Sequence, residues 1–287
     1  MGGHHHNLTL ILLAATHVAA CAATVDDSSD IGSADVRSDR TYLALGDSIA
    51  FGWTPLVADQ TQTDRFVGYP EVLDDDWHVN LLNASCPGEA TGGFISVDGA
   101  DNGCRANREL YPLHVSYEGT QLEFALATLD ARPGTAVVTI DLGGNDLSIL
   151  NDRCAGDPQC LQDGLPVTLG EVATNLATIF GSIRGHYAGP LVALTYYAFD
   201  YADPIETLVI GLLNQVITGV ANATGAIVAD GYGAFQAASA AAGSPCAAGL
   251  LAQLPDGHCD RHPSRQGQRV LAGAVRSALG NAGVQVD

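Results

Sequence analysis

Four short stretches carry side chains whose types and spacing suit chemistry. The first is Gly46-Asp47-Ser48, where an apolar run over residues 42–45 stops at a glycine and presents an acid and a hydroxyl. A buried strand ending in a tight turn would leave Ser48 at the carboxyl edge of a sheet, where open α/β folds place ligands. There the hydroxyl is a candidate nucleophile; the plainer reading is a serine that caps the next helix. The second stretch, residues 83–93, contains Cys86, Pro87, Gly88 and Glu89. A glycine here lets a backbone N–H approach a developing oxyanion, and the plainer reading is a disulfide-pinned surface loop. The third is Asp141-Leu142-Gly143-Gly144-Asn145-Asp146. Its side-chain amide can donate to the same charge, or the segment is simply a turn. The fourth holds His258, Cys259, Asp260, Arg261, His262 and Pro263, with an imidazole just ahead of a helix start.

His258 and His262 stand four apart with Cys259 between them, which invites a metal reading. Pro263 argues that the segment is not helical, so the two rings would not share a helix face. No other ligand cluster supplies the remaining positions, and no Cys-x-x-Cys occurs. Neither a metal nor an organic cofactor is expected.

The elements that must position these stretches are short apolar runs alternating with longer amphipathic ones. Strands are expected over 42–45, 79–82, 136–142, 191–195 and 226–229. Helices are expected over 120–129, 169–183, 205–223 and 264–279. Buried strands alternating with helices predict an α/β fold of three layers, α/β/α, with a doubly wound, flavodoxin-like sheet of five parallel strands. The apolar run over 205–213 could line an acyl groove, although such runs more often belong to the core. One catalytic domain is expected over residues 41–287.

The chain has 287 residues, 47% of them apolar, with 32 acids against 12 arginines and a formal charge of −20. That balance excludes a phosphate-binding surface, so nucleic acid is not an expected partner. Cys86 and Cys104, Cys154 and Cys160, and Cys246 and Cys259 fall in near pairs. Six cysteines allow many connectivities; short disulfides closing surface loops, formed in an oxidising compartment, suit the spacing. Residues 1–20 read as a signal peptide whose apolar stretch is too short to span a bilayer as a mature helix. It ends in Val18-Ala19-Ala20-Cys21, which resembles a bacterial lipobox. That resemblance implies lipidation of Cys21 and a membrane-anchored, exported protein. The acidic, Ser- and Ala-rich segment over 21–40 reads as a flexible tether.

Taken together and in this order, Gly46-Asp47-Ser48, Gly88, Gly143 with Asn145-Asp146, and His262-Pro263 resemble the SGNH hydrolases, the GDSL-type esterases and lipases. The match spans about residues 42–280 and is closest to the secreted bacterial branch. No Gly-x-Ser-x-Gly elbow occurs. The resemblance implies hydrolysis of acyl esters by a monomer, with Ser48 as nucleophile and His262 as general base. It implies an oxyanion hole from the Ser48 and Gly88 N–H groups and the Asn145 amide, helped by the positive end of the helix after Ser48. Phospholipase, sugar deacetylase and acyltransferase chemistry, or a non-catalytic acyl- or glycan-binding lipoprotein, are the alternatives. The family usually places its acid three residues before the histidine, and here that position is Cys259. Asp260 stands two before; in an extended segment it shares a side with His262 and can reach the ring. A backbone carbonyl orienting the ring is the alternative. Asp47 reads as a structural turn acid.

Overall fold

A computed structural model describes residues 40–286. In chain order its first elements are β1 (Thr41–Gly46), α1 (Ser48–Phe51), α2 (Tyr69–Trp77), β2 (Asn80–Asn83), α3 (Thr91–Ile95), α4 (Cys104–Leu110) and α5 (Gln121–Ala131). There follow β3 (Thr135–Asp141), α6 (Gly144–Cys154), α7 (Pro158–His186), β4 (Leu191–Leu194) and α8 (Pro204–Ala223). The last are β5 (Ile227–Ala229), α9 (Gly231–Ser239), β6 (Leu251–Gln253), β7 (Cys259–Pro263) and α10 (Arg265–Asn281). The expected leader, Cys21 and tether residues up to 39 lie outside the described residues.

β1 to β5 form one parallel sheet in the order β2-β1-β3-β4-β5, as expected for a flavodoxin-like winding. Alternation along β1 sends side chains to two cores. Tyr42 and Ala44 pack with α2, α9 and α10 through Leu73, Phe235, Leu271 and Val275. Leu43 and Leu45 face the other layer, where Leu122 of α5, Ile179 of α7 and Leu213 of α8 lie. Every residue of β1 and β3 is buried, which is why these strands are apolar without a polar face. Gly46 sits opposite Asp141 in the β1–β3 register, so the first and third chemical stretches leave the sheet side by side.

Two helices differ from the sequence-based expectation. α7 starts at Pro158 and runs for 29 residues, although Pro166 lies within it. Pro158 occupies the first turn, where its missing N–H costs nothing, and Asp157 caps the end by accepting from Gln159 and Cys160. The run over 205–213 is not core at its start: Ile205 is 72% and Leu208 60% exposed. Leu213 and Asn214 meet the chain near Gly143 and at Tyr196, where the strands end, so the turns of α8 before them rise past the sheet edge.

A small antiparallel pair, β6–β7, stands outside the main sheet. Its strands were not anticipated, because Cys259 to Pro263 carries no apolar run. Three disulfides join Cys86 to Cys104, Cys154 to Cys160 and Cys246 to Cys259. The last closes the loop that leads into β6 onto β7. Replacing Cys246 and Cys259 together by serine should therefore cost about 3 kcal/mol of stability, by freeing the unfolded loop. A denaturant midpoint equal to that of the wild type would contradict this.

Candidate active site

The turn after β1 is built for Ser48. Gly46 adopts φ +135°, and a Cβ there would lie 2.4 Å from the Asp141 carbonyl oxygen, so only glycine fits. Gln121 holds the glycine from both sides: its Oε1 accepts from Gly46 N at 2.6 Å and its Nε2 donates to Gly46 O at 3.0 Å. The capping residue is Asp47, not Ser48, since Asp47 Oδ1 accepts from Ile49 N at 2.8 Å. Ser48 is the first residue of α1, and its hydroxyl is free for another partner. α1 is one turn long, so the expected dipole of a full helix is reduced to the few N–H groups of that turn.

That partner is His262. Its Nε2 lies 3.0 Å from Ser48 Oγ, and its Nδ1 lies 2.5 Å from Asp260 Oδ1. The same carboxylate oxygen accepts from His262 N at 2.9 Å. Both residues lie on β7, where positions two apart face one side, so the shifted acid reaches the ring. Burial alone would raise the Asp260 pKa; the His262 ring and backbone N–H outweigh it and leave this carboxyl below its ordinary value. A hydroxyl, imidazole and carboxylate in one line can pass a proton from Oγ to Nε2 while the carboxylate steadies the charged ring.

Gly88 and Asn145 are joined through a residue that the sequence did not single out. Asn102 donates its backbone N–H to Gly88 O at 2.9 Å and its side-chain amide to Asn145 Oδ1 at 2.7 Å. Gly88 has φ +87°, and a Cβ would lie 2.5 Å from Asn102 O. Asn145 Nδ2 donates to Asp47 Oδ2 at 3.1 Å, tying the third stretch to the first. The alternative of a plain turn over 143–146 does not hold, since Gly143 caps α6 and Gly144 to Asp146 form its first turn. Asp146 there accepts from Thr91 N at 3.0 Å and Thr91 Oγ1 at 2.6 Å, fastening α6 to α3.

Two aromatic residues complete the surroundings. Trp53 sets its ring edge-on against His262, with centroids 4.5 Å apart. Tyr196 donates to Asp47 Oδ2 at 2.7 Å. Nothing in the order of residues marked Asn102, Trp53 or Gln121, which lie outside the four chemical stretches. Among the described residues no metal-ligand group includes His258. Cys86, Glu89 and Cys104 cluster closely enough to hold a cation, but the two sulfurs are bonded to each other and offer no thiolate.

The model of the GDSL-like lipase/acylhydrolase family matches residues 44–270. The chain belongs to this family. Ester hydrolysis, acting on small-molecule esters, is therefore its general chemistry. Among curated proteins no sequence matches it significantly. An acetylxylan esterase from Geobacillus stearothermophilus superposes with a TM-score of 0.57 at 18% identity, over 88% of this chain and 100% of that one. A Bacillus subtilis protein solved by structural genomics gives 0.57 at 18%, over 87% and 58%. An α/β hydrolase enzyme from the metagenome of Lake Arreo, Spain, gives 0.52 at 17%, over 86% and 97%. These likenesses carry the fold.

In this GDSL-type chain the loop bearing Gly88 also buries an acid. Glu89 is 2% exposed. Burial, and then the charge of Asp101, push its pKa from 4.5 to about 8, against weaker help from Gln121, Arg108 and Arg105. The folded protein thus keeps a proton that the unfolded chain releases. The resulting stabilisation is complete below about pH 4.5 and is lost as pH rises to about 8. Glu89→Gln should flatten the fall in denaturation midpoint across that window and raise the midpoint at pH 8. An unchanged slope would show that Glu89 ionises normally.

Proposed function

We propose that the protein is a serine carboxylic ester hydrolase that works through an acyl-enzyme. The observation that carries this reading is the continuous line Ser48 Oγ, His262 Nε2, His262 Nδ1 and Asp260 Oδ1, at 3.0 and 2.5 Å. Ser48 Oγ attacks the ester carbonyl carbon while its proton passes to His262 Nε2. The carbonyl oxygen becomes an oxyanion, received by the N–H groups of Ser48 and Gly88 and by the Asn145 amide. Collapse breaks the bond to the alcohol, which leaves with the proton from Nε2. A water then gives its proton to Nε2 and its oxygen to the acyl carbon. The acid is released as the proton returns to Ser48 Oγ, so one ester and one water yield one acid and one alcohol.

A short acyl group suits the site better than a long chain. An apolar crevice formed by Phe51, Trp53, Phe66, Pro87 and Leu113 adjoins both His262, through Trp53, and Gly88, through Pro87. It holds only about 10 Å³, the space of one water. The fold likeness to an acetylxylan esterase supports the same reading. Export, with Cys21 as an acylated anchor and residues 41–287 as the catalytic domain, completes it. The three disulfides and the lipobox-like Val18-Ala19-Ala20-Cys21 support that placement.

With p-nitrophenyl acetate, Ser48→Ala should abolish turnover, and unchanged turnover would remove Ser48 from the reaction. Asn145→Ala should lower kcat by a hundredfold or more, about 3 kcal/mol, with little effect on KM. Across a panel of p-nitrophenyl esters, kcat/KM should fall from acetate and butyrate to palmitate. A palmitate optimum would overturn the short-chain reading.

A further inference from the structure

The reaction above leaves one buried carboxyl without a task. Asp141 ends β3 beside Gly46, and it and Asp47 are each 2% exposed. The Asp47 carboxyl is surrounded by donors. Its Oδ1 accepts from Ile49 N at 2.8 Å, and its Oδ2 accepts from the Tyr196 hydroxyl at 2.7 Å and Asn145 Nδ2 at 3.1 Å. Asp141 has far less. Its Oδ1 accepts from the Tyr69 hydroxyl at 3.0 Å and the Ala50 backbone N–H faces the carboxyl, while its Oδ2 is buried without a geometrically sound hydrogen bond among the described residues. The two carboxyl groups are nevertheless within hydrogen-bonding reach of each other. Two carboxyl oxygens can share a hydrogen bond only when one of them carries a proton.

We propose that Asp141 is a neutral carboxylic acid whose Oδ2 hydroxyl donates to an ionised Asp47, and that this proton-sharing pair is the positioning device for the Asn145 amide. The donor count decides which partner is ionised. Burial raises both acids, but Asp47 gathers three donors besides Asp141, each of which stabilises a charge there, and it is raised less than Asp141. The orphaned Oδ2 of Asp141 is then not an unpaired acceptor but the O–H donor. Burial, and next the neighbouring Asp47 charge, raise Asp141 well above the ordinary carboxylate range, the direction that a retained proton requires.

The consequence falls on Asn145. An anionic Asp47 attracts the NH₂ side of the amide, and Asn102 donates to its carbonyl side, so the amide has one orientation. One N–H is held by Asp47 and the second is left for the oxyanion, a role that rests on the esterase reading above. If Asp141 lost its proton, two adjacent anions would repel and Asn145 would lose its fixed partner. The other titratable groups facing the pair are Tyr42, Tyr69, Tyr196 and Tyr197, with Asp146 on α6 and His262 on β7. Burial raises all four tyrosines well above their ordinary value, so each stays neutral and none replaces Asp141 as the alkaline titrating group.

The test combines kinetics with a direct reading of the proton. Asp141→Ala should lower kcat for p-nitrophenyl acetate at least tenfold with KM within twofold. Asp141→Asn, which restores an N–H donor and cannot ionise, should recover most of that loss and should lack the alkaline fall in kcat of the wild type. Asparagine proving no better than alanine would overturn the proposal. Carboxyl ¹³C NMR of the wild-type protein with labelled aspartate reads the proton whether or not the variants fold and whether or not the esterase reading holds. A hydrogen-bonded neutral aspartic acid at pH 7 that ionises only well into alkali is expected. Complete ionisation of all aspartates at pH 7 would overturn it.

Discussion

A proton can pass between Ser48 and His262 only because two parts of the chain that share no sheet are held 3.0 Å apart. Ser48 is fixed by the end of β1, whereas His262 rides on a two-stranded hairpin that has little core of its own. The hairpin is therefore tied down from several sides. The Cys246–Cys259 bridge closes its base, Tyr197 donates to Arg261 O at 2.7 Å, and Trp53 packs against the imidazole. From the next helix, Gln268 Nε2 donates to Ile49 O at 3.0 Å, coupling α10 to α1. Each tie is modest, and together they fix a distance that proton transfer needs to within a few tenths of an ångström.

The second constraint is electrostatic. Burying a carboxylate is costly unless donors surround it, and this chain buries acids beside Ser48, the proposed nucleophile. Asp47 draws backbone, phenol and amide donors around it, which offset in part the rise that burial imposes on its pKa. Around it, Asp141, Asp146 and Glu89 all have raised pKa values, chiefly from burial. A chain of formal charge −20 thus holds, around this site, acids that burial pushes toward their protonated form. Asp260 alone among these is lowered, because its partner is the imidazole it must support.

Much of this was legible in the residue order, for physical reasons. Fully buried strands such as β1 and β3 leave unbroken apolar runs, and their ends are marked by Gly46 and Gly143, where the backbone turns sharply. Asp260 and His262 could be paired because extended backbone puts alternate residues on one side. The hairpin holding them was not legible, since β7 is polar, both strands are short, and Leu250 and Leu251 beside it are the buried residues that join the core. Asn102 and Gln121 were equally silent. Each works through backbone hydrogen bonds to glycines that are distant in sequence, and such partners have no local signature. The start of α8 misled for a different reason: its apolar residues extend beyond the sheet that would have covered them.

The most direct measurement is the site of covalent capture. A fluorophosphonate probe should modify the folded protein once, on the peptide carrying Ser48, and His262→Ala should slow that labelling by several orders of magnitude. No adduct on Ser48, or equal labelling in the His262→Ala protein, would contradict an activated serine at the end of β1.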